Sequence, residues 1–336
     1  MDQEYDIGIR VEMGNNIGYG HFFRCLALAE EFIKKRRKVI FITNSKDIKK
    51  HLKKNIPFFM LKGKIESDRI KECKKLSQKI KFWIFDLPKE NKRYSFHFKK
   101  YDSAIIYDLG NIDVYSKLLI NGGIVKKFQK YNHNNKTKFL IGPKYMILRK
   151  NFYKNRLENM VCKKKIKKIL LTFGGNDDKD LSSKILSKIN TKKYQVSVLL
   201  GPTYKFRKKI QTIANSNKNI KIISNSKNTS ILFRKFDLVL ATPGITIYEL
   251  ACLGIPTILI SINEVQQTVA KYFHKIKIGI NYGFWEDDIL KLEKIIESLQ
   301  EEKIRNNMKK TGQKTVDGKG IFRVSNTIDD FLKKLV

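Results

Sequence analysis

A histidine follows a glycine-rich segment close to the N-terminus of the chain. The glycines are Gly14, Gly18 and Gly20, and His21 comes directly after the last of them. The apolar run 7–11 and the helical pattern over 22–32 flank this segment, which gives the order strand, glycine loop, helix. Such a loop lets the backbone and the helix N-terminus approach an anion, and a histidine there can accept a proton near neutral pH. The alternatives are a simple tight turn and a histidine that only caps it.

The composition is that of a globular protein. The chain has 336 residues, of which 42% are hydrophobic and 30% charged. This balance predicts two compact domains or one large α/β domain, and it excludes a short disulfide scaffold and a disordered chain. The cysteines lie far apart, with no CxxC pair and no histidine at ligand spacing: Cys25, Cys73, Cys162 and Cys252. The sequence therefore predicts reduced thiols, no metal site and no cofactor.

The chain is strongly basic. Lysine and arginine number 69 against 32 aspartates and glutamates, so the formal net charge is +37, which favours anionic partners. The lysines are scattered rather than gathered in one stripe, so no dedicated nucleic-acid surface is predicted, and a non-enzymatic nucleic-acid-binding protein stays a minor alternative. The N-terminus lacks an apolar signal region, and the most apolar stretch, 238–262, is interrupted by two prolines and a glutamate. We expect no export signal or membrane span, a cytoplasmic location and a monomer.

Short β-rich runs alternate with helical or polar stretches in two series. The first comprises 7–11, 39–43, 82–85, 104–107, 118–120 and 139–141, and the second 169–173, 196–200, 220–223, 238–241 and 257–260. This order predicts an α/β fold with two doubly wound, Rossmann-like domains facing across a cleft, and ligands bind where such strands end. The expected boundaries are an N-terminal domain at 1–147, a linker at 148–166, a C-terminal domain at 167–319 and a helix at 320–336. That helix closes the second domain or crosses back onto the first.

A glycine pair follows the first predicted strand of the second half. The run 169–173 leads into Gly174, Gly175 and Asn176. Backbone N–H groups at such a turn could lie near a phosphate, or the segment could be a bare turn.

A second motif follows the run 238–241. The segment ATPGITIYELACLGIP at 241–256 predicts a helix that a glycine and a proline end. Thr246 and Glu249 lie three residues apart, in the range of a capping box. Glu249 could therefore cap the helix or accept hydrogen bonds from a ligand.

Several segments resemble blocks of a known family. GYGHFFRCLALA at 18–29 resembles the GxGHxxRCLxLA block that opens the PseG/SpsG family. FLIGPKYMILR at 139–149, ILLTFGGND at 169–177 and DGKGIFRV at 317–324 are similar to further blocks, so the resemblance covers nearly the whole chain. Members with known activity are UDP-2,4-diacetamido-2,4,6-trideoxy-β-L-altropyranose hydrolases of pseudaminic acid synthesis, which look like MurG-type GT-B glycosyltransferases that use water as acceptor. The resemblance implies a GT-B-like fold and a catalytic role for His21.

The resemblance also implies which residues contact a UDP-sugar. The segment 241–256 is similar to the GGsTxxExxxxGxPxI block of the PseG and MurG-type proteins, which implies that Gly244 and Thr246 hold the diphosphate and Glu249 binds the ribose. Gly174, Gly175 and Asn176 would also receive the diphosphate, and Gln266 would lie near the bound sugar nucleotide. The candidates on the sugar side are Gly18, Gly20, Arg24, Asp86, Asp108, Tyr145 and Arg149.

Some of these candidates have more than one interpretation. Asp86 and Asp108 follow predicted strands, and either could orient His21, bind a sugar hydroxyl or form a strand-end turn. Arg24 could fix an anionic group or pair with Glu12. The remaining histidines are predicted to be surface residues: His51, His97, His133 and His274.

The chain departs from the family pattern at several positions, including Ile245 in place of a serine. Pro243 replaces a loop glycine and removes an N–H donor, and Val265 replaces the asparagine before Gln266. Pro88 stands where the family has a tyrosine, whose hydroxyl would be missing unless Tyr94 substitutes for it. These departures predict an altered sugar.

The leaving group of the implied reaction is a nucleoside diphosphate, which is a stable anion and needs no general acid. Paired carboxylates, which ordinary glycoside hydrolysis generally needs, are therefore not required. The first hypothesis is a metal-independent hydrolase that releases UDP from a UDP-2,4-diacetamido-2,4,6-trideoxyhexose by inverting water attack, with His21 as the base. The alternative is a GT-B glycosyltransferase that uses a UDP-sugar donor in surface polysaccharide synthesis.

Overall fold

The chain forms two compact units. The computed structural model describes residues 4–14, 17–133, 136–156, 161–201, 203–224, 226, 228–287 and 289–334. One unit comprises Met1–Lys150 together with Gly318–Val336, and the other comprises Asn151–Asp317. The linker predicted at 148–166 is divided between the units, because 148–150 belong to the first and 151–156 and 161–166 to the second. Residues 157–160 lie outside the described residues.

The first unit is built on a 7-stranded parallel sheet. Its described strands are β1 (Tyr5–Val11), β2 (Val39–Thr43), β3 (Phe58–Met60), β4 (Ile80–Asp86), β5 (Ser103–Ile106), β6 (Asp113–Val114), β7 (Leu118–Asn121), β8 (Asn132–His133) and β9 (Lys138–Ile141). The sheet order is β3-β2-β1-β4-β5-β7-β9, and β6 pairs with β8 separately. Continuous apolar runs form the central strands because both faces of a parallel sheet are covered.

Helices cover this sheet on both faces. They are α1 (Gly20–Lys34), α2 (Ile48–His51), α3 (Glu66–Leu76) and α4 (Asn91–His97), and α5 (Lys150–Lys154) begins at the end of the unit. One face of β1 packs with Phe22 and Phe32 of α1, whereas Trp83 and Phe85 of β4 belong to a second core on the opposite face. The carboxyl ends of β1, β4 and β5 are thereby fixed at one edge of the sheet.

The second unit repeats this plan with a 6-stranded parallel sheet. Its described strands are β10 (Lys168–Thr172), β11 (Gln195–Leu200), β12 (Ile220–Ser224), β13 (Leu238–Ala241), β14 (Thr257–Ser261) and β15 (Ile280–Phe284), in the order β12-β11-β10-β13-β14-β15. The helices are α6 (Leu181–Leu186), α7 (Arg207–Asn215), α8 (Thr229–Phe233), α9 (Ile245–Leu253), α10 (Glu264–Lys275), α11 (Ile289–Ser298) and α12 (Glu302–Thr315). Two parallel sheets with their helices confirm the predicted α/β class.

The C-terminal helix α13 (Gly320–Lys333) packs on the first unit. Its apolar side chains join the core that contains α1, and Arg37 pairs with Asp329 at 2.7 Å. Gly320 lies so close to the backbone that an added Cβ would meet the Met146 carbonyl oxygen at 2.2 Å. The last two residues of the segment 320–336 lie outside the described residues.

The described residues hold neither a membrane-spanning helix nor a cluster of metal ligands. None of the helices there combines the length and apolar character that a bilayer-spanning segment needs. The same residues contain no group of three or more His, Cys, Asp or Glu side chains arranged to hold a metal ion.

Candidate functional site

The glycine loop after β1 closes on itself. Gly18 N–H donates to the Gly14 carbonyl at 2.7 Å, and Gly14 N–H donates back to Gly18 at 3.3 Å. Both glycines have positive φ, +139° and +81°, which L side chains rarely adopt, although a Cβ at either would have free space. Positions 15 and 16 lie outside the described residues. The loop ends at Gly20, the first residue of α1, where no side chain caps the helix.

His21 lies in the first turn of α1 and contacts the last residue of β4. Its Nδ1 is 2.7 Å from Oδ1 of Asp86, and its side chain is 24% exposed whereas that of Asp86 is fully buried. Asp86 pairs with Val11 in the sheet, so the carboxylate is held at the strand ends. Nδ1 also lies 3.0 Å from Nη2 of Arg24, which can only donate. In the tautomer in which Nδ1–H donates to Asp86, Nε2 keeps its lone pair and can act as a general base.

Arg24 holds the same carboxylate from the next helical turn. Its Nε and Nη2 donate to the two oxygens of Asp86, each at 2.6 Å, and its Nη1 donates to Oδ2 of Asp108 at 2.5 Å. Burial alone would raise the pKa of Asp86, but the charges of Arg24 and His21 and their hydrogen bonds hold that pKa well below its ordinary value. The pairing with Glu12 considered from the sequence is wrong, since Glu12 binds Arg10 instead.

Two carboxylates and one guanidinium meet beside the imidazole of His21. We call His21, Arg24, Asp86 and Asp108 the histidine cluster. The side chain of Asp108 is 37% exposed, so this carboxylate remains accessible to a ligand.

Two supporting residues were not found by sequence reasoning. The thiol of Cys25 donates to Oδ2 of Asp86 at 3.3 Å, and burial, followed by the charge of Asp86, raises the pKa of this thiol well above its ordinary value. Asn91 accepts from Leu87 N–H at 3.0 Å and donates to the Ile106 carbonyl at 2.9 Å, which fixes the loop after β4. Cys25 lies inside the family-like block and could have been suspected, but nothing local indicates Asn91.

Tyr94 does not replace the tyrosine that is missing at Pro88. Its hydroxyl is buried, donates to Glu66 at 2.7 Å and accepts from Arg10 at 3.1 Å. Burial, together with the hydrogen bond to Glu66, raises the pKa of Tyr94 above its ordinary value, although the charge of Arg10 opposes this shift. The suggested substitution is therefore wrong.

The other residues assigned to the sugar side lie apart from these contacts. Tyr145 ends a short 3-10 turn and packs against the core of the first unit, and Arg149 directly precedes α5. None of the contacts that the histidine cluster makes in the described residues involves either side chain. His51 is also not a plain surface residue, because its ring packs among the rings of Tyr19 and Phe23.

The first glycine motif of the second unit is an open backbone turn. Gly174 has φ +86° and free space around a would-be Cβ. Gly175 touches Gly201, whose added Cβ would lie 2.0 Å from the Gly175 carbonyl oxygen. Thr203 Oγ1 donates to that oxygen at 3.0 Å and also contacts Asn176 Oδ1. The turn is therefore fixed by its neighbours, and its Gly174 edge remains open.

The acidic residues after this turn act as helix caps. Asp177 accepts from Leu181 N–H and Ser182 N–H, each at 2.8 Å. Asp180 caps α6, accepts from the Tyr204 hydroxyl at 2.6 Å and pairs with a lysine. These carboxylates stabilise the start of α6.

The second motif leads into an uncapped helix. Gly244 is the N-cap residue of α9, is exposed, and has nothing within 4 Å of a would-be Cβ. Thr246 and Glu249 both lie inside α9, and no side chain caps its start, so the capping-box alternative is wrong. Pro243 precedes the N-cap and therefore removes none of the first-turn N–H groups.

Gln266 belongs to the start of α10. Its backbone N–H donates to Asn263 Oδ1 at 3.0 Å, and its Oε1 accepts from Ile262 N–H at 3.1 Å. This exchange resembles a capping box and leaves the side-chain NH₂ as a donor. The exposed Val265 follows Glu264 in the same turn.

Comparisons with known proteins agree with this architecture. Residues 168–321 match the glycosyltransferase family 28 C-terminal domain. The spore coat polysaccharide biosynthesis protein SpsG of Bacillus subtilis is 27% identical over 345 residues, 98% of this chain and 99% of that protein. The chain is thus similar to SpsG over nearly the full length of both proteins. Another relative, the uncharacterized protein MJ1062 of Methanocaldococcus jannaschii, is 30% identical over 78% of this chain, but the match spans only 56% of that protein.

Solved structures of similar architecture show the fold of the chain. MurG of Acinetobacter baumannii matches with a TM-score of 0.70 at 13% identity and covers 97% of this chain and 99% of that one. The Anabaena protein Alr3699/HepE in complex with UDP-glucose matches with a TM-score of 0.61 at 12% identity over 98% and 100%. The fold is that of the GT-B glycosyltransferases, as the sequence resemblance implied.

Proposed function

We propose that the protein is a nucleotide-sugar hydrolase that releases UDP from a UDP-2,4-diacetamido-2,4,6-trideoxyhexose. The observation that carries this proposal is the 2.7 Å contact between His21 and the buried Asp86, inside the block that resembles the PseG/SpsG family. The contact leaves Nε2 of a partly exposed imidazole free to take a proton. The relationship to SpsG, whose name places it in polysaccharide biosynthesis, supports a sugar substrate.

The proposed step is an inverting displacement by water. Nε2 of His21 takes a proton from water, the water oxygen forms a bond to the anomeric carbon, and the bond from that carbon to the diphosphate oxygen breaks. The electron pair leaves with UDP, which is stable as an anion. Asp86 holds the reactive tautomer and stabilises the imidazolium, and Arg24 keeps Asp86 ionised and in place.

The second unit is assigned to the nucleotide. The uncapped start of α9 at Gly244 and Thr246 and the open turn at Gly174 offer backbone N–H groups and space to a diphosphate. We assign Gly175 and Asn176 to the same group, Glu249 to the ribose, and the side-chain NH₂ of Gln266 to the sugar. The complex of the related Anabaena fold with UDP-glucose supports a UDP-sugar as the ligand.

The sugar side is assigned to the first unit. Asp108 presents a partly exposed carboxylate beside His21 and suits a sugar hydroxyl. Gly18 and Gly20 shape the loop before His21, and we also assign Tyr145 and Arg149 to the sugar side. With Pro88 in place of a tyrosine and Tyr94 buried, a hydroxyl that would contact the sugar is missing, which supports an altered sugar.

A GT-B glycosyltransferase is the second candidate. It is favoured by the match of residues 168–321 to the family 28 C-terminal domain and by structural neighbours such as WaaG, a glycosyltransferase involved in lipopolysaccharide biosynthesis. In that case Nε2 of His21 would deprotonate an acceptor hydroxyl instead of water. Both candidates use the same donor and the same base.

One experiment separates the two candidates. The protein is incubated with EDTA and without acceptor against UDP-, GDP- and CMP-sugars, including the 2,4-diacetamido sugars, and the anomeric proton is followed by NMR. Free sugar of inverted configuration, lost in His21→Ala and kept in the exposed matched control His97→Ala, supports the hydrolase. Saturable UDP binding without any sugar release favours the transferase.

A further inference from the structure

A second buried charge network lies at the end of β1. Arg10 is fully buried, and its guanidinium has five N–H donors. The partners are Tyr94 Oη, the Val11 carbonyl, Asn44 Oδ1, Glu12 Oε1 and Glu66 Oε1. Every donor can thus be matched with an acceptor, so the arginine is held in one orientation.

This network fixes one oxygen of Glu12 and leaves the other free. Arg10 Nη2 holds Oε1 at 2.6 Å. Oε2 has no protein donor within the described residues and is not among their buried unpaired atoms, so it faces solvent. The side chain is only 15% exposed, so a ligand would meet a rigid and largely desolvated acceptor.

The backbone of Glu12 lies close to that of Asp86, although the Glu12 side chain joins the Arg10 network on the face of Trp83 and Phe85 and the Asp86 side chain faces α1. Val11, its neighbour in the chain, pairs with Asp86 across the sheet. Adjacent strands lie about 4.8 Å apart and successive Cα atoms 3.8 Å apart, so the Cα atoms of Glu12 and Asp86 are within roughly 9 Å. The Gly14–Gly18 pairing closes the loop between Glu12 and His21. A hexose with two acylamino groups can reach across such a distance.

The charge balance selects the kind of ligand. Arg10 and Arg69 balance Glu12 and Glu66, with Arg69 paired to Glu66 at 2.7 Å. The network therefore needs no cation, and its free oxygen suits a neutral hydrogen-bond donor. The geometry points to Glu12 as a specificity-determining residue that binds an acylamino N–H or a hydroxyl of the sugar. This inference rests on the proposed function and names the chemistry that the sugar must present.

The test compares sugar and nucleotide binding. Glu12→Gln keeps an oxygen for Arg10 but replaces Oε2 by an NH₂ group. Glu72→Gln is the matched control, since within the described residues the Glu72 carboxylate accepts only from backbone N–H groups of Lys62 and Gly63. In the active protein, Glu12→Gln should raise KM for the UDP-sugar about 10- to 100-fold with kcat within threefold. In the His21→Ala background, calorimetry should show the same loss for the UDP-sugar and less than a twofold change for UDP. Glu72→Gln should change neither value.

The outcomes separate this inference from the proposed function. If the wild-type protein neither turns over nor binds any UDP-sugar, the proposed function and the role of Glu12 are both overturned. An active wild-type protein whose KM stays within twofold in both Glu12→Gln and Glu12→Ala overturns the role of Glu12 alone. A sugar N–H should lose its acceptor in both variants, whereas a hydroxyl can accept from the glutamine and should be affected mainly by Glu12→Ala.

Discussion

At the carboxyl ends of their strands, the two parallel sheets present different polar groups: side chains in the first unit and mostly backbone in the second. In the first unit, ionised side chains contact each other directly: Arg24 binds both oxygens of Asp86, which also contacts His21. In the second unit the corresponding edge is mostly backbone, with a glycine turn at Gly174 and an uncapped helix start at Gly244. The acids near that turn are occupied as helix caps.

The difference corresponds to two chemical requirements met by the same α/β architecture, one for a proton acceptor and one for a diphosphate site. A proton acceptor must have a fixed tautomer and a compensating charge, so it needs buried polar partners. A diphosphate already carries its charge and needs donors and space, which glycine turns and helix starts provide. We therefore expect side-chain changes in the first unit to alter catalysis and changes of shape in the second to alter nucleotide affinity.

The largest expected effect is on catalysis in the first unit. His21→Ala should lower kcat by about 10³-fold because the general base is lost, while UDP affinity stays within twofold. Initial rates of UDP release and calorimetric titration of UDP measure the two quantities. The comparison fails if His21→Ala keeps more than a tenth of the wild-type rate or loses UDP binding.

The next effect is on acid stability of the first unit. An unfolded aspartate has a pKa of about 3.9, and the pKa of folded Asp86 is lower, so Asp86 contributes stability above pH 4 that is lost as the pH falls toward its folded pKa. Urea unfolding between pH 5 and 3 should show a loss of about 1 kcal/mol, and Asp86→Asn should flatten the slope.

The signal for that measurement can be confined to one unit. Trp83 is buried in the core of the first unit and Trp285 belongs to the second, so fluorescence in a Trp285→Phe background reports the first unit alone. An identical pH slope with and without Asp86→Asn would show that the carboxylate is not ionised as the contacts indicate.

A smaller effect should distinguish two glycines of the second unit. Gly244 has extended backbone and free space, so Gly244→Ala should fold normally and weaken UDP binding about tenfold by blocking close approach of the diphosphate. Gly254 has φ +79° and its Cβ would lie 2.6 Å from Lys309, so Gly254→Ala should cost about 1–2 kcal/mol of stability. Calorimetric titration of UDP and thermal unfolding of both variants test this contrast. It would be refuted if both variants lost the same UDP affinity and the same stability.

The sequence predicted the fold better than the site. Alternating apolar runs and helical patterns are local signals, and they indicated both sheets and the strand–loop–helix joint at His21. The contact of His21 with Asp86 joins residues 65 positions apart, so no local pattern could distinguish Asp86 from Asp108 as its partner. The pairing of the strands decides between them, because β4, which ends at Asp86, lies directly beside β1.

Charged residues were the hardest to assign. Arg24 and Arg10 both lie near Glu12 in the sequence, but β1 directs Arg10 and Glu12 to the same face whereas α1 directs Arg24 to Asp86 and Asp108. The sequence leaves open that Tyr94 replaces the hydroxyl missing at Pro88, yet Tyr94 is buried against Glu66. Side-chain partners across a sheet depend on tertiary packing, which spacing alone does not show.

The smallest effect tests whether the acids of the second unit are only caps. Asp177 accepts two backbone N–H groups at the start of α6, so Asp177→Ala should cost about 1 kcal/mol of stability, while UDP affinity stays within twofold. Its neighbour Asp178 is exposed and pairs loosely with Lys205 at 3.8 Å, which makes Asp178→Ala the matched control with no expected change. Thermal unfolding and UDP titration of both variants decide the matter. A tenfold loss of UDP affinity in Asp177→Ala without a loss of stability would mean that side chains, and not only backbone, bind the nucleotide in the second unit.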